Sequence, residues 1–422
     1  MGSPQSAPAG PQPPGAALDG LLIADFGRVL AGPYATMLLA DLGAEVVKVE
    51  RPGSGDDTRA WGPPWAAGQA TYFQGVNRNK SSIAVDLATE EGRAAARSLA
   101  QRADVVVENF RPGVMARLGL DYDTLRDANP RLVYCSITGF GSGGGAALPG
   151  YDLLVQAMGG LMSITGDPQG EPTKVGVALV DVITGLHAAV GILAAVRHAA
   201  RTGEGQQVEV NLLSSLLSAL VNQAQGYVGA GVVPERMGNQ HPSIAPYEVF
   251  PTQDRLLVLA VGTDRQFRAL CDVLALPQTA VDPRFATNDQ RVAHRAELRA
   301  VLEARLRRQP AEHWFALLMD RGVPCGPINR VDQGFALAAE LGLDPVVQVP
   351  SMVTPPADLR QDGVVFPPTV ATVANPIRLS RTPAAYRCGP PVLGQDGAAG
   401  GTTDRRAVDE TRSQAAAPGL SS

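Results

Sequence analysis

The sequence predicts an α/β protein with a large open parallel-sheet domain and a smaller α+β domain. Three observations predict it. Residues 21–50 have the pattern strand, helix, strand; the same alternation continues to about residue 140; and the pattern changes after about residue 200. The chain of 422 residues, 45% of them hydrophobic, is long and apolar enough for a large and a small domain with a well-buried core.

The first half of the chain has the alternating elements of a parallel sheet. Residues 21–26 (LLIADF) form a predicted buried strand, 31–44 carry apolar residues at helical spacing, and 46–50 (VVKVE) form a second strand. A strand, a helix and a strand in so short a stretch make a βαβ unit, and the sheet is therefore Rossmann-like. Further elements are predicted as strands at 82–87, 104–110 and 131–140, a helix at 89–103 and short helices near 113–128.

The second half predicts the smaller domain. A long helix is predicted over 208–230, followed by two strands joined by a polar turn within 246–262. Three helices are predicted near 264–275, 289–307 and 310–321. The predicted organisation is a disordered extension at 1–18, the first part of the large domain at 19–225, the small domain at 240–330, a return to the large domain at 331–396 and a flexible tail at 397–422.

Charge and ligand spacing exclude several function classes. The 36 Lys and Arg residues against 41 Asp and Glu give a net charge of -5 without a basic block, so nucleic-acid binding is not expected. The four cysteines are far apart and the five histidines have no ligand spacing, so no metal site is expected. Unpaired cysteines, together with residues 1–18 that lack the features of a secretory signal or a mitochondrial presequence, predict a cytoplasmic protein.

The apolar stretch 175–196 (VGVALVDVITGLHAAVGILAAV) is about as long as a membrane span, but it contains Asp181, Thr184 and His187. A buried strand running into a buried helix explains it better, and no membrane partner is expected. Asp181 lies where the β-branched run meets the small-residue helix. Two roles fit it: an N-cap of that helix, or a partly desolvated carboxylate that attacks a thioester or moves a proton.

Two glycine-containing segments lack the features of a nucleotide site. The turn 27–32 (GRVLAG) has no G-x-G-x-x-G fingerprint, so nicotinamide binding is not expected. The segment 139–145 (GFGSGGG) has no following Lys-Ser/Thr, which leaves either a flexible loop or a mobile active-site loop.

Several long motifs, in order along the chain, carry a resemblance to a known family. The sequence resembles the family III CoA-transferases, the formyl-CoA and carnitine CoA-transferase group, from about residue 19 to about residue 396. The matching motifs are RVLAGPYATMLLADLGAEVVKVERPGSGDDTR (28–59), NRNKSSIAVDL (77–87), DVVVENFRPGVMARLGL (104–120), GYDLLVQAMGGLMSITG (150–166), VALVDVITGLHAAVGILAA (177–195), APYEVFPTQD (245–254) and PPVLGQD (390–396).

The resemblance implies a catalytic role for Asp181. In this family the matching aspartate is the nucleophile of a ping-pong reaction through an enzyme-bound CoA thioester. Coenzyme A thioesters are then substrates, and no tightly bound cofactor or metal is implied. The family positions that contact CoA correspond to Val29, Leu30, Ala31, Arg51, Asn109, Phe110 and Arg117. The expected substrate-cavity and active-site-loop residues are Tyr151, Gly238, Asn239, Gln240 and His241.

The sequence departs from the formyl-CoA transferase pattern at two places. Leu30 stands where that enzyme has a glutamine, and 238–246 (GNQHPSIAP) lacks its run of glycines. Several stretches, such as GLMSITG and GVPCGPIN, are more similar to the transferases of dicarboxylic acids of the succinate–hydroxymethylglutarate (glutarate) type. That similarity implies succinyl-CoA as donor and a dicarboxylic acid as acceptor. The resemblance also implies an interlocked homodimer.

Two alternatives remain beside the transferase. The superfamily contains α-methylacyl-CoA racemases, which use a histidine and the aspartate as a proton-exchange pair. This chain has Tyr151 in place of that histidine, and a tyrosine of ordinary pKa is a poor base at neutral pH. The other alternative is a non-catalytic CoA-binding relative, against which the presence of Asp181 argues.

Overall fold

The structure is a computed structural model that describes residues 15–353 and 367–397. Most of the predicted extension (1–18) and nearly all of the predicted tail (397–422) lie outside the described residues. The strands are β1 (Leu22–Asp25), β2 (Glu45–Glu50), β3 (Trp65–Ala66), β4 (Gln69–Ala70), β5 (Lys80–Ala84), β6 (Val105–Glu108), β7 (Val133–Thr138), β8 (Gln207–Asn211), β9 (Tyr247–Pro251), β10 (Leu256–Ala260), β11 (Cys325–Pro327), β12 (Val346–Pro350) and β13 (Thr369–Val373).

The helices lie between these strands, and a short 3-10 helix covers Asp57–Ala60. The α-helices are α1 (Ala31–Asp41), α2 (Thr71–Gln74), α3 (Glu90–Arg102), α4 (Val114–Leu118), α5 (Tyr122–Arg126), α6 (Asp152–Met158), α7 (Leu161–Ile164), α8 (Leu179–Thr202), α9 (Leu212–Ala219), α10 (Val221–Ala230), α11 (Asp264–Val273), α12 (Pro277–Val281), α13 (Asn288–Ala293), α14 (Arg295–Leu306), α15 (Ala311–Asp320) and α16 (Val331–Glu340).

A six-stranded parallel sheet in the order β5-β2-β1-β6-β7-β8 confirms the predicted α/β class. Its central strands are apolar and buried along nearly their whole length, as expected where helices cover both faces of a parallel sheet. One core combines sheet residues such as Val47 and Val106 with Leu99 of α3. Helix α3 begins where Thr89 accepts the N–H of Gly92.

The prediction of one long helix over 208–230 is wrong at its start. Residues Gln207–Asn211 form β8, which pairs with β7 as the last strand of the sheet. Two helices, α9 and α10, follow it. The alternation in Val208-Glu209-Val210 is a strand signal, but it covers too few residues to stand out beside the apolar helix that follows.

The predicted strand before Asp181 is also wrong. Helix α8 begins at Leu179 and its N-cap position is Ala178, so Asp181 lies in the first turn and is not an N-cap. One face of α8 is buried and packs against α1 and the sheet. Among the described residues, α8 is also the helix whose length and composition would suit a membrane span, with 39% of its most apolar window buried. Buried helices of large proteins have the same length and composition.

The chain divides into two compact units. Within the described part of the chain, the first comprises residues 15–155, 178–219, 346–353 and 367–397 and contains the six-stranded sheet. The second comprises Gln156–Val177 and Leu220–Pro345. It has an antiparallel sheet in the order β11-β10-β9, whose side chains share a core with α11, α14 and α15. The segment 156–177 belongs to this second unit, whereas the sequence pattern placed it with the large domain.

Candidate active site

The strand order reverses between β1 and β6. From β1 the chain runs outward through β2 to β5, and it then returns to place β6 on the other side of β1. Ligands of open α/β sheets bind at such a switch point, outside the carboxyl ends of the strands. In this structure the turn from β1 to α1 and the residues that follow β6 meet there.

Asn109 holds the β1–α1 turn in place. Its Oδ1 accepts the backbone N–H of Arg28 at 2.9 Å, and its amide donates to the Arg28 carbonyl at 2.7 Å. Val29 has a φ of 67°, which is unusual for a β-branched residue, and its N–H points at the carboxylate of Asp56 at 3.3 Å. Leu30 then precedes α1, and Ala31 is its buried first residue. The turn is therefore fixed by two side chains from other parts of the chain.

Asp56 is itself fixed by a buried ion pair. The ammonium of Lys48 lies 2.9 Å from Asp56, and it donates to the Gly27 carbonyl at 2.7 Å. Burial alone would raise the pKa of Asp56, but Lys48 and the hydrogen bonds from Thr58 hold it below its usual value. Burial by itself would lower the pKa of Lys48, but Asp56 and the other nearby carboxylates raise it. Both groups are therefore charged at neutral pH.

A second buried pair lies beneath the same turn. The Lys80 ammonium is 3.0 Å from Asp25, which also accepts the Thr36 hydroxyl at 2.7 Å. Burial lowers the pKa of Lys80 to about 8, although Asp25 opposes this change. A buried charge that loses its partner is left uncompensated, which is energetically costly. The two pairs therefore resist movement of the turn away from its neighbouring strands.

A cavity of about 280 Å³ opens at the carboxyl ends of β5, β2, β1 and β6. Its wall is partly apolar, with Phe26, Val49, Val85, Leu87 and Phe110, and partly charged, with Arg28, Lys48, Glu50, Arg51, Asp56 and Asp86. An apolar wall with a few charged groups suits the nucleotide part of a cofactor-like substrate.

The predicted CoA-contacting residues fall into three groups in the structure. Arg51 and Phe110 line the cavity, and Val29, Leu30, Ala31 and Asn109 form or hold the turn beside it. The Arg51 side chain is 63% exposed and donates to the Ser54 hydroxyl at 2.7 Å. Arg117 is exposed on α4 and does not line this cavity.

Asp181 lies near the start of α1 because Gly185 lets two helices approach closely. A Cβ at Gly185 would lie 2.7 Å from the carbonyl oxygen of Ala31, so only glycine permits this distance. Asp181 stands one turn earlier on α8, and its side chain is half-buried. The Asp181 carboxyl group and Asp56 are both charged neighbours of Tyr72, and Asp56 accepts the N–H of Val29, so Asp181 lies on the same side of the sheet as the β1–α1 turn.

Asp152 is the main charged neighbour of Asp181, and sequence reasoning missed it. Its Oδ1 accepts the N–H groups of Val180 at 2.8 Å and of Asp181 at 3.1 Å. These first-turn N–H groups have no partner within α8, so Asp152 provides their hydrogen-bond acceptor from a distant part of the chain. Burial, and then the charge of Asp152, raise the pKa of Asp181 to about 7. The sequence shows an acidic residue in the motif GYD (150–152). It does not show that this residue contacts Asp181, because the two are 29 residues apart in the chain.

Tyr72 is a second neighbour that sequence reasoning missed. Burial, and then the carboxylates of Asp181 and Asp152, raise the pKa of Tyr72 to about 12. Its hydroxyl therefore remains protonated and can donate a hydrogen bond. The ring makes an edge contact with Trp61, with the ring centroids 5.4 Å apart. Aromatic side chains thus lie close to the candidate nucleophile.

The predicted substrate residues lie in different units. Tyr151 directly precedes Asp152 in the first unit, and its side chain is 65% exposed. The segment from Gly238 to His241, with Asn239 and Gln240, belongs to the second unit.

Within the second unit this segment is well ordered by hydrogen bonds. The Gly238 N–H donates to the Gly166 carbonyl at 3.1 Å, and the Gln240 amide donates to Glu248 at 3.3 Å. The His241 ring packs 5.3 Å from that of Tyr247. No cluster of three metal-ligating side chains occurs among the residues that the structure describes.

The sequence of residues 18–397 matches the family model of CoA-transferase family III. The chain belongs to this family. It is 46% identical to the succinate–glutarate CoA-transferase of Agrobacterium fabrum, over 90% of this chain and 93% of that protein. It is 42% identical to the acetyl-CoA:oxalate CoA-transferase of Acetobacter aceti, over 94% of this chain and 97% of that protein. A CaiB/BaiF family protein from Brucella suis has a similar structure, with a TM-score of 0.75, 41% identity and coverage of 94% and 99% of the two chains.

These comparisons confirm the predicted family and the predicted enzyme class. The chain is an acyl-CoA:carboxylate CoA-transferase, and its α/β fold agrees with that of the family structure. CoA thioesters are the substrates of such enzymes.

Proposed function

We propose that Asp181 carries the transferred CoA as an aspartyl thioester. The observation that supports this role most directly is its position: a half-buried carboxyl group, with a pKa raised to about 7, in the first turn of α8 beside the β1–α1 turn. Perturbed carboxyl groups of this kind are typical of reactive sites. The racemase alternative has no comparable support, because Tyr151 replaces its histidine.

The proposed reaction has four balanced steps. A carboxylate oxygen of Asp181 attacks the donor thioester carbonyl, and the C–S bond breaks to give a mixed anhydride and CoA thiolate. The thiolate attacks the aspartyl carbonyl, which releases the donor carboxylate and leaves an aspartyl-CoA thioester. The acceptor carboxylate attacks this thioester, which forms a second anhydride and frees the thiolate. The thiolate then attacks the acceptor carbonyl, and Asp181 is regenerated as a carboxylate.

The charge of Asp152 assists the first step. Two neighbouring carboxylates repel each other when both are ionised, and acylation of Asp181 removes one of these charges. The acylated form is therefore favoured relative to the free carboxylate. Asp152 also fixes the backbone of the first turn of α8 through its two hydrogen bonds. This carboxylate thus acts on the nucleophile both by charge and by position.

The cavity beside the turn suits the nucleotide end of CoA. We place the adenosine and phosphates there, against Phe110 and Arg51, with the pantetheine arm passing Val29, Leu30 and Ala31 toward Asp181. Asn109 acts through the turn that it holds. Arg117, Tyr151 and the segment 238–241 remain proposed contacts, for CoA in the first case and for the acyl groups in the others. No tightly bound cofactor is required by these steps.

The relatives suggest the acyl groups. We propose succinyl-CoA as donor and a dicarboxylic acid as acceptor, because the succinate–glutarate and acetyl-CoA:oxalate transferases are similar over nearly the whole chain. The four cysteines are free thiols, which suits the cytoplasm.

We also propose a homodimer, interlocked as the resemblance implies. Helix α8 exposes Leu186 and Val190, and α10 exposes Tyr227 and Val228. Exposed apolar side chains that lie together on a helix are typical of protein–protein interaction sites.

The test is a chromatographic assay of acyl-CoA products. Purified protein is incubated with succinyl-CoA and glutarate, hydroxymethylglutarate, mesaconate, itaconate, citramalate, oxalate or carnitine. Asp181→Ala is expected to lower transfer by about a thousandfold or more, the usual effect of losing a covalent nucleophile. The control Asp123→Ala removes an exposed carboxylate of α5 and is expected to retain full activity. Wild-type rates in Asp181→Ala would overturn the proposed mechanism.

A further inference from the structure

Arg28 is a cavity residue to which no role has been given so far. It lies in the β1–α1 turn, and its side chain lines the cavity together with that of Arg51. We propose that Arg28 is a phosphate-binding residue, and that Arg28 and Arg51 together receive a phosphate group of the CoA thioester. This inference rests on the proposed placement of CoA in the cavity.

The Arg28 side chain is held in position before any ligand arrives. Its guanidinium group lies over the Phe110 ring, 4.9 Å from the centroid, and Asn109 clamps its backbone with two hydrogen bonds. Its Nε is buried and makes no hydrogen bond within the described parts of the chain. Because Nε is closed to solvent and the side chain as a whole is 42% exposed, the donors open to a phosphate in the cavity are the Nη groups of Arg28.

The two arginines share one weakly held carboxylate. Arg28 Nη1 lies 3.8 Å from Asp57, and Arg51 Nη2 lies 3.5 Å from the same side chain. All three side chains are more than two-fifths exposed, so these ion pairs contribute little to stability. Asp57 does not line the cavity, so both guanidinium groups reach from this carboxylate to the cavity wall. A phosphate can therefore replace Asp57 as their anionic partner at small cost.

The other charges of the cavity wall leave these two cations for the ligand. Lys48 is paired with Asp56 at 2.9 Å, and Glu50 is paired with Arg59 at 2.6 Å. Asp86 lies at the exposed rim, where it accepts the Ala88 N–H at 2.9 Å. The electrostatic attraction for a phosphate therefore comes from Arg28 and Arg51. Guanidinium groups suit this role because their planar donors match phosphate oxygens.

The test measures the affinity of the full chain for free CoA by calorimetry. Arg28→Gln is expected to weaken CoA binding by about tenfold or more, as for loss of a charge-assisted hydrogen bond. The dissociation constant of Arg28→Gln should also change less with added NaCl than that of the wild type, because one screened contact is gone. A purely structural role through Phe110 would leave this salt dependence unaltered and would overturn the inference.

A second ligand identifies the phosphate concerned. If Arg28→Gln weakens CoA but not 3′-dephospho-CoA, Arg28 binds the 3′-phosphate; if both weaken equally, it binds the diphosphate. Either result, together with the reduced salt dependence, supports the inference. The matched control is Arg126→Gln, which removes an exposed arginine of α5 that also has a carboxylate neighbour, Asp123. This variant is expected to bind CoA like the wild type.

A third variant tests the part assigned to Asp57. Asp57→Asn removes the competing anion and is expected to bind CoA at least as tightly as the wild type. If Arg28→Gln binds CoA as tightly as the wild type, Arg28 does not bind a phosphate, although the placement of CoA in the cavity still stands. If the wild-type protein itself fails to bind CoA, the placement of CoA in this cavity fails, whatever the variant does.

Discussion

At the scale of single residues, the proposed chemistry depends on two neighbouring carboxyl groups. Asp181 is half-buried, and Asp152 binds the N–H groups at the start of the same helix. Because burial and Asp152 raise the pKa of Asp181 to about 7, only part of the enzyme carries the proposed nucleophile as a carboxylate at neutral pH. The rate of aspartyl-thioester formation should therefore increase as the pH rises through about 7.

Asp152→Asn tests the contribution of the neighbouring charge. The amide oxygen still accepts the N–H groups of Val180 and Asp181, but the negative charge is gone. We expect the acidic limb of kcat/KM to move down by about one pH unit, since burial, the larger cause, remains. Asp152→Ala, which removes the acceptor as well, should in addition lower the melting temperature. An unchanged limb in Asp152→Asn would show that Asp152 does not set the ionisation of Asp181.

Asp181→Asn should be more stable than the wild type above pH 7. The pKa of Asp181 rises from 3.8 to about 7 on folding. The contribution of its side chain to the free energy of unfolding is therefore complete below pH 3.8 and is lost as the pH rises through about 7. We expect the free energy of unfolding of Asp181→Asn to exceed that of the wild type by about 1 kcal/mol or more at pH 8, and by less at pH 5. Both differences are reduced by solvent screening, because the Asp181 side chain is partly exposed. Urea unfolding at both pH values measures them. Equal stability of the two proteins at pH 8 would contradict the raised pKa.

At the scale of elements, the site depends on how closely α8 packs on α1. Gly185→Ala tests this contact, because a Cβ would lie 2.7 Å from the Ala31 carbonyl. The helices must separate, so we expect a lower melting temperature and a loss of kcat of about tenfold or more through displacement of Asp181. The control is Gly334→Ala in α16, where a Cβ meets nothing within 4 Å. Full activity of Gly185→Ala would show that the exact distance between the helices does not matter.

The elements themselves could largely be predicted from local patterns. The strand Val105–Glu108 is indicated by a short run of apolar residues, and the helix Glu90–Arg102 by apolar residues at helical spacing. The strand Gln207–Asn211 could not, because it is short and runs directly into an apolar helix. The partners of the site could not be predicted either: the contacts of Asp152 with α8 and of Asp56 with Val29 join distant residues, and single-sequence patterns carry no information on such pairs.

At the scale of the whole molecule, the fold provides a switch point in the strand order and two buried ion pairs next to it. The buried pairs Lys48–Asp56 and Lys80–Asp25 join β1, β2, β5 and the segment after β2, and so fix the turn beside the cavity. Such pairs specify one arrangement of the strands, since a displaced strand would leave buried charges unpaired.

The proposed homodimer is tested by sedimentation in solution. We expect a mass close to twice 44.0 kDa that persists on dilution, as interlocked chains cannot separate without unfolding. A dimer that dissociates on dilution would contradict interlocking, and a monomer at all concentrations would contradict the dimer itself.

The aspartyl thioester is tested most directly by chemical trapping. The wild-type enzyme is incubated with succinyl-CoA without acceptor, reduced with borohydride and digested, and the peptide that contains Asp181 is analysed by mass spectrometry. We expect residue 181 to be converted to the alcohol, homoserine, while Asp152 is unchanged, and we expect no conversion when succinyl-CoA is omitted. An unmodified Asp181 in an enzyme preparation that actively transfers CoA would rule out the aspartyl thioester.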